Sequence, residues 1–359
     1  MTVLRMLSIR NVAVATFTIL FIALAGCASP PIAPEANAAA HPATRWTMDP
    51  ALQARLLALD PEHISDRDVR ETLAKGPTPR IMLLHGGVYP VHLVMESFGE
   101  FLTGMGYPEA RIRDPGNGDW SYSPYLLTSQ LAGLVAWQYE HDGLHPMLVG
   151  HSQGGLSAVK ILKDLAGLNG DSLRVWNPLT HTLEERTTIV DPLTGRERPA
   201  LGVSVAYASA VGAGGFALAL PGWWENLATL RKIPDTVDEF TGYFIEVDLF
   251  ALSIPGNPLD SRYENGGKAH VRNVTLPASY SHVIVPMTAS LAQDAAIRDW
   301  INAYVPDQKR DTSSLPLAAQ SHVLWAADVW YSIKKHWCIE AQRWVRAQRA
   351  RVAAESTPQ

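Results

Sequence analysis

Cysteine is scarce in this chain. Cys27 and Cys338 are the only two, which excludes a disulfide-rich scaffold. Charge is also sparse: Lys, Arg, Asp and Glu make up 18% of residues and the net charge is −5. Nothing there recommends nucleic acid as a partner. No long repeat is present, so a solenoid is not expected. The N-terminal apolar run, residues 12–24, is too short to favour a stop-transfer span. What the chain does have is apolar side chains, 47% of residues, enough for a sizeable core. Its length suits one large α/β domain with additions.

The most informative stretch is 146–155, P-M-L-V-G-H-S-Q-G-G. A short apolar run enters Gly150-His151-Ser152-Gln153-Gly154, and residues 156–165 have helical periodicity. Strand, G-x-S-x-G and helix in that order put a serine on a sharp turn with its hydroxyl exposed above a sheet. The glycines have a steric reason, because side chains two positions either side would collide across so tight a turn. Ser152 is therefore the candidate nucleophile.

Further strands are expected at 80–84, 110–114, 201–208 and 271–276. Helices are expected at 96–105, 123–140 and 290–304. This alternation predicts an α/β fold, a mostly parallel sheet with helices on both faces. Residues 173–199 carry two echoing turns, Asn177-Pro178-Leu179-Thr180 and Asp191-Pro192-Leu193-Thr194, and read as a hairpin excursion. Trp223 and Trp224 fit a cap over a site and ordinary core packing equally well.

Taken together, the chain resembles the α/β-hydrolases of the lipase/esterase kind over about 80–304. Leu84-His85-Gly86-Gly87 follows the early strand as the oxyanion loop does in lipases. Gly150-His151-Ser152-Gln153-Gly154-Gly155 is similar to the lipase elbow, including its Gln. His282 follows the last strand, in the family's order of Ser, acid, His. The resemblance implies an α/β-hydrolase fold with a cap or hairpin insertion at about 170–243, within a domain of 45–305. It implies carboxylic ester hydrolysis through an acyl-enzyme, with His282 as base and the backbone N–H groups of Gly87 and Gln153 as oxyanion donors. Val88 is the replacement for Gly87. No metal or organic cofactor is implied. A zinc site at His141 and His145 is disfavoured, because Gly143 and Pro146 argue for a loop.

Two carboxylates compete for the third role. Asp260 follows a short apolar run and a turn, and is favoured. Asp248 ends the run Tyr243-Phe244-Ile245-Glu246-Val247-Asp248. That run reads as a strand, and equally as a helix with Val237, Phe240, Phe244, Val247 and Ala251 on one face.

The N-terminus, with Arg5, Arg10 and Leu24-Ala25-Gly26-Cys27, resembles a bacterial lipoprotein signal. By that resemblance, 1–26 is removed, Cys27 carries lipid, and 27–44 is an Ala/Pro-rich tether. The protein is then exported and membrane-anchored, and if the host is Gram-negative it sits on the outer membrane or in the periplasm. Cys338 is left without a partner, so no intrachain disulfide is expected. In the 306–359 extension, Val323, Ala327, Trp330, Ile333, Trp337, Ala341 and Trp344 form one helical stripe. A helix over 315–352 docked on the domain is preferred, with a membrane-surface helix as the alternative. Besides ester hydrolysis, the same features admit an acyltransferase or a catalytically silent surface scaffold.

Overall fold

The computed structural model describes residues 46, 48–87, 89–214, 229–251, 262–308 and 311–355. Residues 1–45, with the expected signal, Cys27 and the expected tether, and also Val88, Trp223, Trp224 and Asp260, lie outside the described residues.

The centre is a 5-stranded sheet. Its strands are β1 (Ile81–Leu84), β2 (Met147–His151), β3 (Val205–Val211), β4 (Val237–Ile245) and β5 (His270–Leu276), in that spatial order. All pairings are parallel. β1, β2 and β3 are buried along their whole length, as both faces of a covered parallel sheet require. Alternate residues still feed different cores. Ile81, Leu83, Met147 and Val149 join one apolar cluster, and Met82, Leu84 and Leu148 the other. Helices α1 (Tyr89–Gly104), α4 (Ala295–Asn302) and α5 (Val323–Glu355) contribute to the first cluster. Helices α2 (Thr128–Asp142) and α3 (Gln153–Leu165) contribute to the second.

The expected strand at 110–114 is not formed. A single 3₁₀ turn, Glu109–Arg111, stands there. Arg111 is drawn inward, its Nη2 donating to Asp142 Oδ2 at 2.6 Å and its Nε to Thr78 O at 2.9 Å. The place beside β1 goes to Tyr122, which bridges Leu84 in parallel sense. The chain therefore leaves β1 toward Tyr122 and returns on the other side to β2. Such a reversal opens a crevice at the carboxyl ends of the strands, where open α/β sheets hold their sites.

The expected helix at 290–304 is broken. A 3₁₀ turn, Ala289–Ala292, precedes α4, and Asp294 restarts the helix by accepting from the N–H groups of Ala296 and Ile297. Between α3 and β3, two antiparallel hairpins pair Trp176–Asn177 with Thr182–Leu183 and Thr188–Val190 with Glu197–Pro199.

The C-terminal stripe lies inside the protein. Trp330, Ile333, Trp337 and Ala341 are fully buried and Trp344 nearly so. Polar anchors fix the same helix. Asp328 accepts from Arg272, Tyr243 and Tyr304 at 2.7, 2.6 and 2.9 Å. Glu239 pairs with Lys335 at 3.1 Å, His336 at 3.2 Å and Arg272 at 3.3 Å. Burial works against the Glu239 carboxylate, but the hydrogen bond from His336 and the charges of Lys335 and Arg272 hold its pKa well below the usual range. No described helix is long and apolar enough to cross a membrane.

Candidate active site

β2 delivers Ser152 to the crevice. Its backbone sits at φ 55°, ψ −123°, a conformation that L-residues adopt at a cost of about 1–3 kcal/mol. The neighbouring glycines make the turn possible. A Cβ on Gly154 would lie 2.1 Å from Leu84 O, and one on Gly150 would lie 2.5 Å from Gly154 O. The turn is held from the sheet side by Ser152 N–H donating to Val211 O at 2.8 Å.

β5 is followed by a short loop that returns His282 over the same crevice. His282 Nε2 lies 2.9 Å from Ser152 Oγ. Its Nδ1 lies 2.7 Å from Asp248 Oδ2. A carboxylate accepts, so Nδ1 carries the proton and Nε2 is free to accept from the serine hydroxyl. The Asp248 side chain is 1% exposed and that of His282 8%. A second oxygen, Asp248 Oδ1, accepts the N–H of Ala251 at 2.9 Å. Thus the position beside Nδ1 is held by Asp248, the alternative acid, and the preference for Asp260 is corrected. The reason is secondary structure. Residues 237–245 are the strand β4, not a helix, so the chain turns out of the sheet just before Asp248.

His151 has a supporting position. It is buried, and its Nε2 donates to the carbonyl of His282 at 2.7 Å. Burial, followed by the nearby His282, holds its imidazole down at about 3, so it is neutral at physiological pH. Gly212, with φ 58°, lies against the imidazole. A Cβ there would be 2.9 Å from both Nδ1 and Cε1 of His282.

The loop after β1 lies alongside the elbow. A Cβ on Gly86 would be 3.1 Å from Ser152 Cβ, and one on Gly87 2.2 Å from Gln153 Oε1. His85 Nδ1 donates to Gly86 O at 2.8 Å. Across a trans peptide this turns the Gly87 N–H to the opposite side. Gln153 opens α3, so its N–H has no acceptor within the helix.

Three neighbours of the site carried no signal in the sequence reading. Tyr125 donates its hydroxyl to Gly87 O at 2.6 Å. Phe250 stacks on His282, with ring centroids 5.4 Å apart and planes 29° apart. The third is Gly212, which lies against the imidazole. His141 is satisfied by Trp137 O at 2.8 Å. His145, Asp238 and Glu340 offer ligand atoms within 4.8 Å of one another. Glu340 is already occupied there by Arg343 Nη2 at 2.6 Å and by His145 N–H at 2.6 Å, which does not suit a cation.

A parallel sheet with a reversal at β1, and a strained serine on the following strand, define the architecture. The fold is that of the α/β-hydrolases. No family model and no curated protein matches the chain. Among solved structures, it is similar to a hyperthermophilic esterase from the archaeon Pyrobaculum calidifontis. Identity there is 13%, the match covers 71% of this chain and 97% of that one, and the TM-score is 0.33. It is also similar to RedJ, whose structure has a polyethylene glycol molecule in the active site. In that case identity is 15%, coverage is 64% and 89%, and the TM-score is 0.28.

Proposed function

We propose that this protein is a serine hydrolase that cleaves carboxylic esters through an acyl-enzyme on Ser152. One observation carries the reading: the continuous chain from Ser152 Oγ through His282 to Asp248, with links of 2.9 and 2.7 Å. A serine hydroxyl is a weak nucleophile until a base takes its proton during attack. In this reading His282 Nε2 takes that proton as Oγ bonds to the carbonyl carbon. The carbonyl π pair moves to oxygen, and the oxyanion is received by the N–H groups of Gly87 and Gln153. Collapse breaks the bond to the alcohol oxygen, which takes the proton from His282. Water then repeats the sequence, releasing the acid and restoring Ser152. Asp248 fixes the tautomer and stabilises the imidazolium without taking a proton.

The proposal extends to location. Residues 1–26 serve as an export signal and Cys27 as a lipid attachment point, on the strength of the Leu24-Ala25-Gly26-Cys27 sequence.

Hydrolysis of p-nitrophenyl esters of graded acyl length, with Ser152→Ala beside the wild type, tests the chemistry. The substitution should lower kcat at least about 10⁴-fold and abolish labelling by a fluorophosphonate. A wild-type protein that neither hydrolyses any ester nor takes up the probe would leave the silent-scaffold alternative in its place.

A further inference from the structure

Resting on the esterase reading, the surroundings of His282 say something about the alcohol half of the substrate. The proton on His282 Nε2 must reach the departing oxygen, so that oxygen has to sit within about 3 Å of Nε2 at collapse. Three sides of the imidazole are closed. Asp248 holds Nδ1. Gly212 backs the Nδ1–Cε1 edge. His151, itself 1% exposed, lies with its ring centroid 5.2 Å away. The remaining face carries Phe250.

Phe250 is 60% exposed although it touches an imidazole that is nearly buried. Other apolar side chains on the loops of Asp248 and His282 are exposed as well. Val247 and Leu249 on the same loop are 51% and 66% exposed, and Ile284 and Met287 after His282 are 37% and 48% exposed. These side chains flank Asp248 and His282 in sequence, on the two loops that carry the acid and the base. The oxyanion side is bordered instead by Tyr125, through its bond to Gly87 O.

We infer that Phe250 is a specificity-determining residue that receives the alcohol portion of the ester, and that the enzyme prefers esters of apolar alcohols. An alkyl chain leaving with the His282 proton passes over the exposed phenyl ring. There it removes apolar surface from water that is uncovered in the free enzyme. A short or polar alcohol gains nothing from that contact. The acyl chain, attached to the carbon bonded to Ser152, is not obliged to approach Phe250.

Two ester series separate the halves. One holds the acyl group at butyrate and lengthens the alcohol from ethyl to octyl, whose members leave with similar intrinsic ease. The other holds the alcohol at ethyl and lengthens the acid from butyrate to decanoate. Wild type should favour octyl over ethyl in kcat/KM. Phe250→Ala should lower that ratio at least about fivefold, within the range that a pocket gains from apolar contacts, and leave the acyl-series ratio unchanged. Phe250→Leu should restore most of the alcohol preference. The inference is overturned if Phe250→Ala moves the acyl series instead, or moves neither. Either result leaves the esterase reading intact, because that reading stands or falls on Ser152→Ala. Fluorophosphonate titration of each variant counts competent sites, so a misfolded variant is not mistaken for an unselective one.

Discussion

Asp248→Asn is the sharpest perturbation available, because the structure fixes which way the new amide must face. Asp248 Oδ1 accepts the backbone N–H of Ala251 at 2.9 Å, while Oδ2 accepts His282 Nδ1–H at 2.7 Å. In an asparagine of the same shape, the amide oxygen has to stay toward Ala251, since an NH₂ there would oppose a backbone donor. The NH₂ then faces His282 Nδ1 and donates to it. That reverses the tautomer: Nε2 becomes protonated and can no longer take the Ser152 proton. Loss of the correct tautomer in such a triad lowers kcat about 10³–10⁴-fold, or about 4–5.5 kcal/mol of transition-state stabilisation. Steady-state hydrolysis of a p-nitrophenyl ester, with a thermal melt to confirm folding, measures it. Asp260→Asn should stay within about threefold of wild type, since one carboxylate suffices to orient the ring. An Asp248→Asn enzyme that keeps more than a tenth of wild-type kcat would refute the argument, as would a large loss confined to Asp260→Asn.

Stability should fall with acid in a way traceable to His151. Its folded pKa is held near 3 against 6.5 for a free imidazole. The unfolded chain therefore binds the extra proton, and stability is lost as pH drops from about 6.5 toward 3, by about 1.4 kcal/mol per unit. His151→Asn keeps a donor for the His282 carbonyl but has no such proton to bind. Between pH 7 and 5 its urea-derived stability should fall about 2 kcal/mol less than that of wild type, and an equal fall would dismiss the assignment. Above pH 5 this comparison avoids Glu340, whose carboxyl is lowered to about 2 by His145 and Arg343 against the opposing effect of burial. Cys27→Ser, expressed with the full signal, should move the protein from the membrane to the soluble fraction; unchanged membrane association would remove the lipid anchor from the account.

Much of this site was legible before the structure, for local reasons. Ser152 announces itself because the strained turn admits only glycine two places away on either side, and that demand is written within five residues. His282 follows from chain order once the last strand is found. The acid was not legible. Along β4 nearly every residue is buried, so the period-two signal of a half-exposed strand is erased, and Val237, Phe240, Phe244 and Val247 fit a helix as well. Phe250 and Tyr125 act through contacts between loops distant in sequence, and a loop residue carries no periodic mark of what it touches. The strand expected at 110–114 failed for a different cause: Arg111 is committed to a buried ion pair with Asp142, 2.6 Å long, and a side chain so held could not alternate along a ladder.

The C-terminal extension, which the family resemblance does not cover, is joined to Asp248 and His282 through the two strands that precede them. Glu239 and Tyr243 lie on β4 and Arg272 on β5, and all three bond to α5, through His336 and Lys335 or through Asp328. β4 runs directly into the turn bearing Asp248, and β5 into the loop bearing His282. That loop is gripped a second time near the start of the extension. Tyr280 Oη accepts the N–H of Leu324 at 3.0 Å, and His322 Nδ1 lies 3.3 Å from Val285 O. Displacing α5 would therefore uncover Trp330 and Trp337 and also free the outer strands of the sheet on which the Asp248–His282 distance depends. A helix that fills part of one core face and also braces the loops bearing Asp248 and His282 packs as part of the same unit as the sheet.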